Sequence, residues 1–124
     1  MTKPLALVFY DNLLPGSQLI NRLQDLNYRV LSFHDGYLIE DQAEREKPLV
    51  ILADLSSKKH DVCTALKKLR ENPKTKHIPV LAFTSEENPD WEKKAHESGA
   101  TLVANAAAIL DQLPLLLAQV LEVE

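Results

Sequence analysis

Short apolar runs recur along the chain, separated by segments whose apolar residues return at helical spacing. Leu5-Ala6-Leu7-Val8-Phe9-Tyr10, Leu49-Val50-Ile51-Leu52-Ala53 and Ile78-Pro79-Val80-Leu81-Ala82-Phe83 show no polar alternation. Runs of this length that are apolar on both faces belong to parallel strands covered by helices on each side. Tyr28-Arg29-Val30-Leu31-Ser32-Phe33 alternates, as a strand near a sheet edge does, and the turn pair Asp35-Gly36 ends it. A fifth, shorter strand is predicted around Leu102-Val103-Ala104.

Helical periodicity fills the intervals. After the turn signal Pro15-Gly16-Ser17, Leu19, Ile20, Leu23 and Leu26 fall on one helix face until Asn27 stops the pattern. Tyr37 to Lys47 is weakly amphipathic and predicts a helix, and Val62, Cys63, Leu66 and Leu69 define another that Asn72-Pro73 terminates. Asn88-Pro89-Asp90 marks the start of a fourth helix, which Gly99 closes. The last segment has two readings: Asp111 caps a helix with Pro114 in its first turn, or the helix begins within Ala106 to Leu110 and kinks at the proline.

Strands alternating with helices predict an α/β domain with a doubly wound five-stranded parallel sheet, for which right-handed crossovers favour strand order 2-1-3-4-5. Ligands of such sheets gather beyond the carboxyl ends of the strands. Asp54 follows the third strand, Asp11 the first and Thr84 the fourth, so three polar groups are expected to converge there.

With 124 residues, 45% hydrophobic and 26% charged, the expectation is one domain spanning residues 1–124. Lys and Arg total 14 against 18 for Asp and Glu, a formal charge of −4, and no segment concentrates enough cations to neutralise a row of phosphates, which argues against nucleic acid as a partner. No apolar stretch reaches membrane-spanning length and Met1-Thr2-Lys3-Pro4 has no features of a secretory signal, so a cytoplasmic location is expected. Cys63 is the only cysteine and reads as a buried thiol; His34, His60, His77 and His96 lack metal-ligand spacing. With three glycines, no Gly-rich phosphate loop and no nucleophile paired with a histidine, an enzyme or nucleotide binder is the weakest reading of the chain.

Tyr10-Asp11, Asp54, Thr84 and Gly99-Ala100 fall in the order and spacing of a known family, with further support from Asp35-Gly36, Asp61, Leu66, Leu69-Arg70 and Ile78-Pro79-Val80. The chain resembles the receiver domains of two-component response regulators, which have the flavodoxin-like fold, over nearly its whole length. The resemblance implies that Asp54 is the phosphoacceptor for a histidine kinase, that Thr84 contacts the phosphoryl group, and that magnesium is held by Asp11, Asp54 and the carbonyl of Ser56. It also shows departures. Tyr10 replaces the first of two adjacent acids, Ala106 the phosphate-binding lysine, Ala107 the proline after it, and Val103 the aromatic switch residue.

A charge-assisted hydrogen bond of the kind lost at Ala106 is worth roughly 1.5 to 3 kcal/mol, enough to slow phosphotransfer or uncouple it from conformation. Lys58 and Lys59, just after Asp54, are the nearest substitutes in sequence. The leading expectation is therefore an atypical receiver, or pseudo-receiver: a non-enzymatic phosphorelay signalling module with weak or absent phosphorylation of Asp54 and weak magnesium binding. The alternative is a working phosphoacceptor with magnesium-dependent phosphotransfer. Expected partners are a histidine kinase or another signalling protein. The surplus of apolar residues on the final helix (Leu115, Leu116, Leu117 and Val123) suggests a homodimer through the face made by the fourth predicted helix, the fifth strand and the final helix. Trp91 reads as packing or as part of that face. Each polar candidate also has an ordinary reading, in which Asp54, Asp11 and Thr84 only cap the turns that follow their strands.

Overall fold

The computed structural model describes residues 4–10, 13–33, 39–55, 62–84, 93, 97 and 99–122. Within them the chain runs β1 (Leu5–Phe9), α1 (Leu13–Asp25), β2 (Arg29–Phe33), α2 (Ile39–Glu46), β3 (Val50–Asp54), α3 (Val62–Glu71), β4 (Val80–Thr84), β5 (Leu102–Asn105), α4 (Ala106–Asp111) and α5 (Leu113–Glu122). The five strands form one parallel sheet in the order β2-β1-β3-β4-β5, as predicted.

Strand alternation sorts the sheet's side chains onto two faces. Leu7, Phe9, Ile51, Ala53, Val80 and Ala82 pack on one side with Ile39 and Ala43 of α2 and Val62, Leu66 and Leu69 of α3. Ala6, Val8, Val50, Leu52, Leu81 and Phe83 pack on the other with Leu19 and Leu23 of α1, Ile109 of α4 and Leu113, Leu117 and Val120 of α5. Both faces of the central strands are therefore buried, which is why β1 and β3 read as unbroken apolar runs. Truncating a side chain such as Leu52 to alanine is expected to cost about 3 kcal/mol.

Several element bounds differ from the sequence reading for identifiable reasons. Helix α1 starts at Leu13, so Pro15-Gly16 lies inside its first turn instead of preceding it. Proline is tolerated there because the first four helical N–H groups have no intrahelical acceptor. Asn27 does end this helix region, adopting φ 68°. Strand β4 starts at Val80, not Ile78: the Ile78 N–H closes a turn on the Thr75 carbonyl at 3.0 Å, and Pro79 has no N–H to give. The final segment combines both of its readings. Helix α4 begins at Ala106 and ends with the Gln112 N–H bonded to the Ala108 carbonyl at 2.8 Å, and α5 then carries Pro114 in its first turn. Proline has no N–H for the Leu110 carbonyl, so one continuous helix breaks into two.

Of the fourth predicted helix, Lys93 and Glu97 are helical and the rest, Trp91 included, lies outside the described residues, as do Asp35-Gly36, Asp61, His34, His60, His96 and Val123. Cys63 is a buried free thiol. Leu117 is core, Leu116 is half-buried and Leu115 is 57% exposed, so of the expected apolar surplus on the final helix only Leu115 is exposed among the described residues, and Leu121 of the same helix is exposed as well. No described helix is long and apolar enough to cross a membrane.

The segments leading into β4 and β5 are tied together by Arg70 of α3. Its Nε donates to the Gly99 carbonyl at 2.7 Å, its guanidinium also donates to the carbonyls of Lys76 and Ile78 at 2.5 and 2.9 Å, and to Thr101 Oγ1 at 3.1 Å. Thr101 Oγ1 in turn accepts from the Val80 N–H at 3.1 Å. Burial lowers the guanidinium's pKa from its ordinary value. Gly99 lies against this clamp at φ +113°, and a Cβ there would sit 2.2 Å from Arg70 Cγ, so both backbone conformation and space require glycine. Buried Thr75 adds a bond from its hydroxyl to the Leu69 carbonyl at 2.7 Å.

Candidate functional site at the carboxyl edge of the sheet

Asp54 is the last residue of β3, one position later than the apolar run suggested, and is 1% exposed. Thr84 is the last residue of β4 and is also buried. Asp54 is in register with Phe83, which places Thr84 one residue farther toward the edge. On the other flank Phe9 pairs with Ala53, so Tyr10, buried, stands one step beyond Phe9 as Asp54 stands one step beyond Ala53. Thr84 is level with Asn105, the last residue of β5. Asp54, Thr84 and Asn105 thus end their strands and Tyr10 follows the end of β1, all at nearly the same height, and none of the four is without an interaction partner.

Burial sets the chemistry of this edge. A carboxylate withdrawn from water is tolerable only with compensating partners, and Asp54 has one. The Leu55 N–H donates to the Phe83 carbonyl at 2.8 Å and extends the ladder past Asp54, holding the backbone at the acid. By strand alternation Asp54 and Tyr10 fall in phase with the side packed by α1, α4 and α5, whereas Thr84 and Asn105 fall in phase with the side packed by α2 and α3. A carboxylate in phase with one face, and a hydroxyl and an amide in phase with the other, stand where the sheet stops. The set can offer one anionic oxygen nucleophile or hard metal ligand, with neutral hydrogen-bonding groups beside it.

Asp11 and Ser56, the other predicted magnesium ligands, lie outside the described residues, as do Lys58 and Lys59. Among the described residues no three His, Cys, Asp or Glu side chains come together as a metal cluster. Asp54 is a ligand of the type magnesium prefers, a carboxylate oxygen, and it is held at the strand tip; the described donor fits that ion. At the corner after β5 the chain enters α4 directly at Ala106, leaving Asn105 as the residue level with Thr84. Val103 is half-buried and packs against the core on the α2–α3 side. Asn105 was legible as the one polar residue between two apolar runs, but nothing in the sequence set its register against Thr84.

No protein-family model matches the chain. Its sequence is 34% identical over 74 residues, 60% of its length, to the response regulator PleD of Caulobacter vibrioides, and the match spans 16% of PleD. The chain therefore corresponds to a small part of that relative. Among solved structures, the receiver domain of the sensor histidine kinase PA1611 from Pseudomonas aeruginosa superposes with a TM-score of 0.87 at 20% identity, covering 98% of this chain and 100% of that one; it has a magnesium ion coordinated in its active-site cleft. The chemotaxis protein CheY4 of Vibrio cholerae gives 0.85 at 23% identity, covering 96% and 99%. The fold is the flavodoxin-like fold of response-regulator receiver domains.

Proposed function

We propose that this chain, which has the receiver fold, is an atypical receiver domain: a signalling module that acts through protein contacts, with weak or absent phosphorylation of Asp54. The observation that carries this reading is the corner after β5. Asn105 stands level with Thr84 and a helix follows at Ala106, so a neutral amide occupies the strand tip that a phosphate-pairing cation would need to neighbour. Tyr10 and Val103 support it, the first by filling the position beside Asp54 with a phenol, the second by giving the core a small aliphatic side chain where an aromatic ring would move. Partners on this reading are a histidine kinase or another signalling protein. Self-association, on this reading, uses the face of the fourth predicted helix, β5 and the final helix, and Leu115 of the final helix is exposed. A Leu115→Lys chain that is monomeric in light scattering where the parent is dimeric supports that face; a monomeric parent at high concentration removes it.

The buried carboxylate favours a second reading, a working phosphoacceptor. In it an Asp54 oxygen attacks the phosphorus of a phosphohistidine, the P–N bond breaks with its electron pair returning to the imidazole, and an acyl phosphate forms on Asp54. Thr84 and Asn105 supply neutral hydrogen bonds near the transferred group. Asp54 would hold magnesium here, with Asp11 and the Ser56 carbonyl as the further ligands that the resemblance implies, and the ion would supply positive charge against the phosphoryl oxygens. The intact mass after incubation with magnesium and acetyl phosphate separates the two readings. A phosphoryl adduct absent from Asp54→Asn establishes the phosphoacceptor, and no adduct on either chain establishes the phosphorylation-independent module.

A further inference from the structure

The edge opposite Asp54 carries a groove that the phosphoacceptor question does not involve. A cleft of about 610 Å³ crosses the amino ends of β2, β1, β3 and β4, with Arg29, Lys47, Leu49 and Leu121 among its walls. A second cleft of about 490 Å³, reaching Glu44 and Lys74, shares Lys47, His77 and Ile78 with the first, so the two form one elongated depression.

Its walls combine exposed apolar side chains with cations. Leu49 and Leu121 are 45% and 36% exposed. Lys74 is engaged by Glu44 at 3.2 Å, and Glu44 also accepts from Asn72 at 3.1 Å. Among the described residues Arg29 and Lys47 form no ion pair, and Glu46 is the remaining acid in the wall. With Lys74 paired to Glu44, Arg29 and Lys47 stand against Glu46, a small positive excess on a chain of net charge −4. The backbone holds it in place: the Arg29 N–H donates to the Pro4 carbonyl and the Leu49 N–H to the Leu5 carbonyl, both at 2.8 Å, and Lys47 caps α2 at φ 50°.

We propose that this groove docks an acidic peptide segment of a partner protein, with carboxylates at Arg29 and Lys47 and an apolar side chain against Leu49 and Leu121. The elongated shape suits an extended segment better than a compact small molecule. Two uncommitted cations are too few to follow a nucleic-acid backbone but enough to orient a peptide carboxylate pair.

The test uses the full chain and a fluorescein-labelled peptide of Glu-Glu-Leu repeats, read by anisotropy. Saturable binding is expected, weakened at least tenfold by the double substitution Arg29→Glu/Lys47→Glu, several-fold by Leu49→Ser, and unaffected by Lys67→Glu/Lys68→Glu on the exposed face of α3. Circular dichroism verifies that the variants fold, since every replaced side chain is exposed. Absence of saturable binding, or equal affinity of parent and Arg29→Glu/Lys47→Glu, overturns the proposal. Co-sedimentation with phosphatidylserine vesicles that the same double substitution abolishes, without peptide binding, overturns it in favour of a lipid surface.

Discussion

The two ends of the sheet treat polar groups in opposite ways. At the amino end Arg70 directs its donors at three backbone carbonyls and a hydroxyl of its own chain, and Thr75 does the same on a smaller scale. These groups join α3, the loop before β4 and the turn before β5, and all their acceptors but the Thr101 hydroxyl are backbone carbonyls. At the carboxyl end Asp54, Thr84 and Asn105 each end a different strand and Tyr10 follows a fourth, so four independent segments bring polar side chains to nearly one level. Burial alone does not distinguish structure from chemistry. A half-buried cation bonded to three backbone carbonyls and a hydroxyl is a brace, whereas a buried carboxylate at a strand tip is a candidate nucleophile.

The strongest way to break this contrast is Gly99→Ala. A Cβ 2.2 Å from Arg70 Cγ displaces the side chain from its bonds, and φ +113° strains any L residue. The expected loss is about 3 to 4 kcal/mol in urea unfolding. Arg70→Ala removes the clamp without the backbone strain, for an expected loss of about 2 to 3 kcal/mol. In that background Gly99→Ala should cost only its strain, about 1 to 2 kcal/mol. Full additivity in this double-mutant cycle would show that the two positions do not act through one another.

At the other end Asp54→Asn is expected to raise stability by about 1 kcal/mol in magnesium-free buffer, because an amide is cheaper to bury than a carboxylate. A loss of 2 kcal/mol or more would make Asp54 a brace like Arg70 and erase the comparison. The smallest effect is at Glu44 of α2. Hydrogen bonds from Asn72 and Lys74, with the charge of Lys74, hold its carboxyl below its ordinary value near 4.5. A depressed acid stabilises the fold fully above that value and loses the contribution as pH falls through the lowered one. Glu44→Gln should therefore flatten the acid limb of the stability profile slightly; an unchanged limb would show the pair to be fully screened at this exposed site.

Strand order, the two-sided core and the positions of Asp54 and Thr84 at strand tips were legible because burial on both faces writes unbroken apolar runs, which end where the sheet ends. Bounds were least legible where proline was involved. Pro15 reads as a turn in sequence but sits in a first helical turn, and Pro79 reads as strand but leaves Ile78 to the preceding loop. Local pattern does not record which hydrogen bonds proline forfeits, and only the neighbouring acceptors settle that.

Taken alone, the residues determined the architecture and set Asp54 and Thr84 at strand tips, since these follow from periodicity and residue identity, while Tyr10, Val103 and Ala106 stand out only against the receiver family that the sequence resembles. The level of Asn105 with Thr84, the reach of Arg70 to carbonyls as distant as Gly99, and the meeting of Arg29, Lys47, Leu49 and Leu121 in one groove came from the folded chain. Each joins segments far apart in sequence, and parallel strands linked by crossover helices set those distances through packing, which no local pattern encodes.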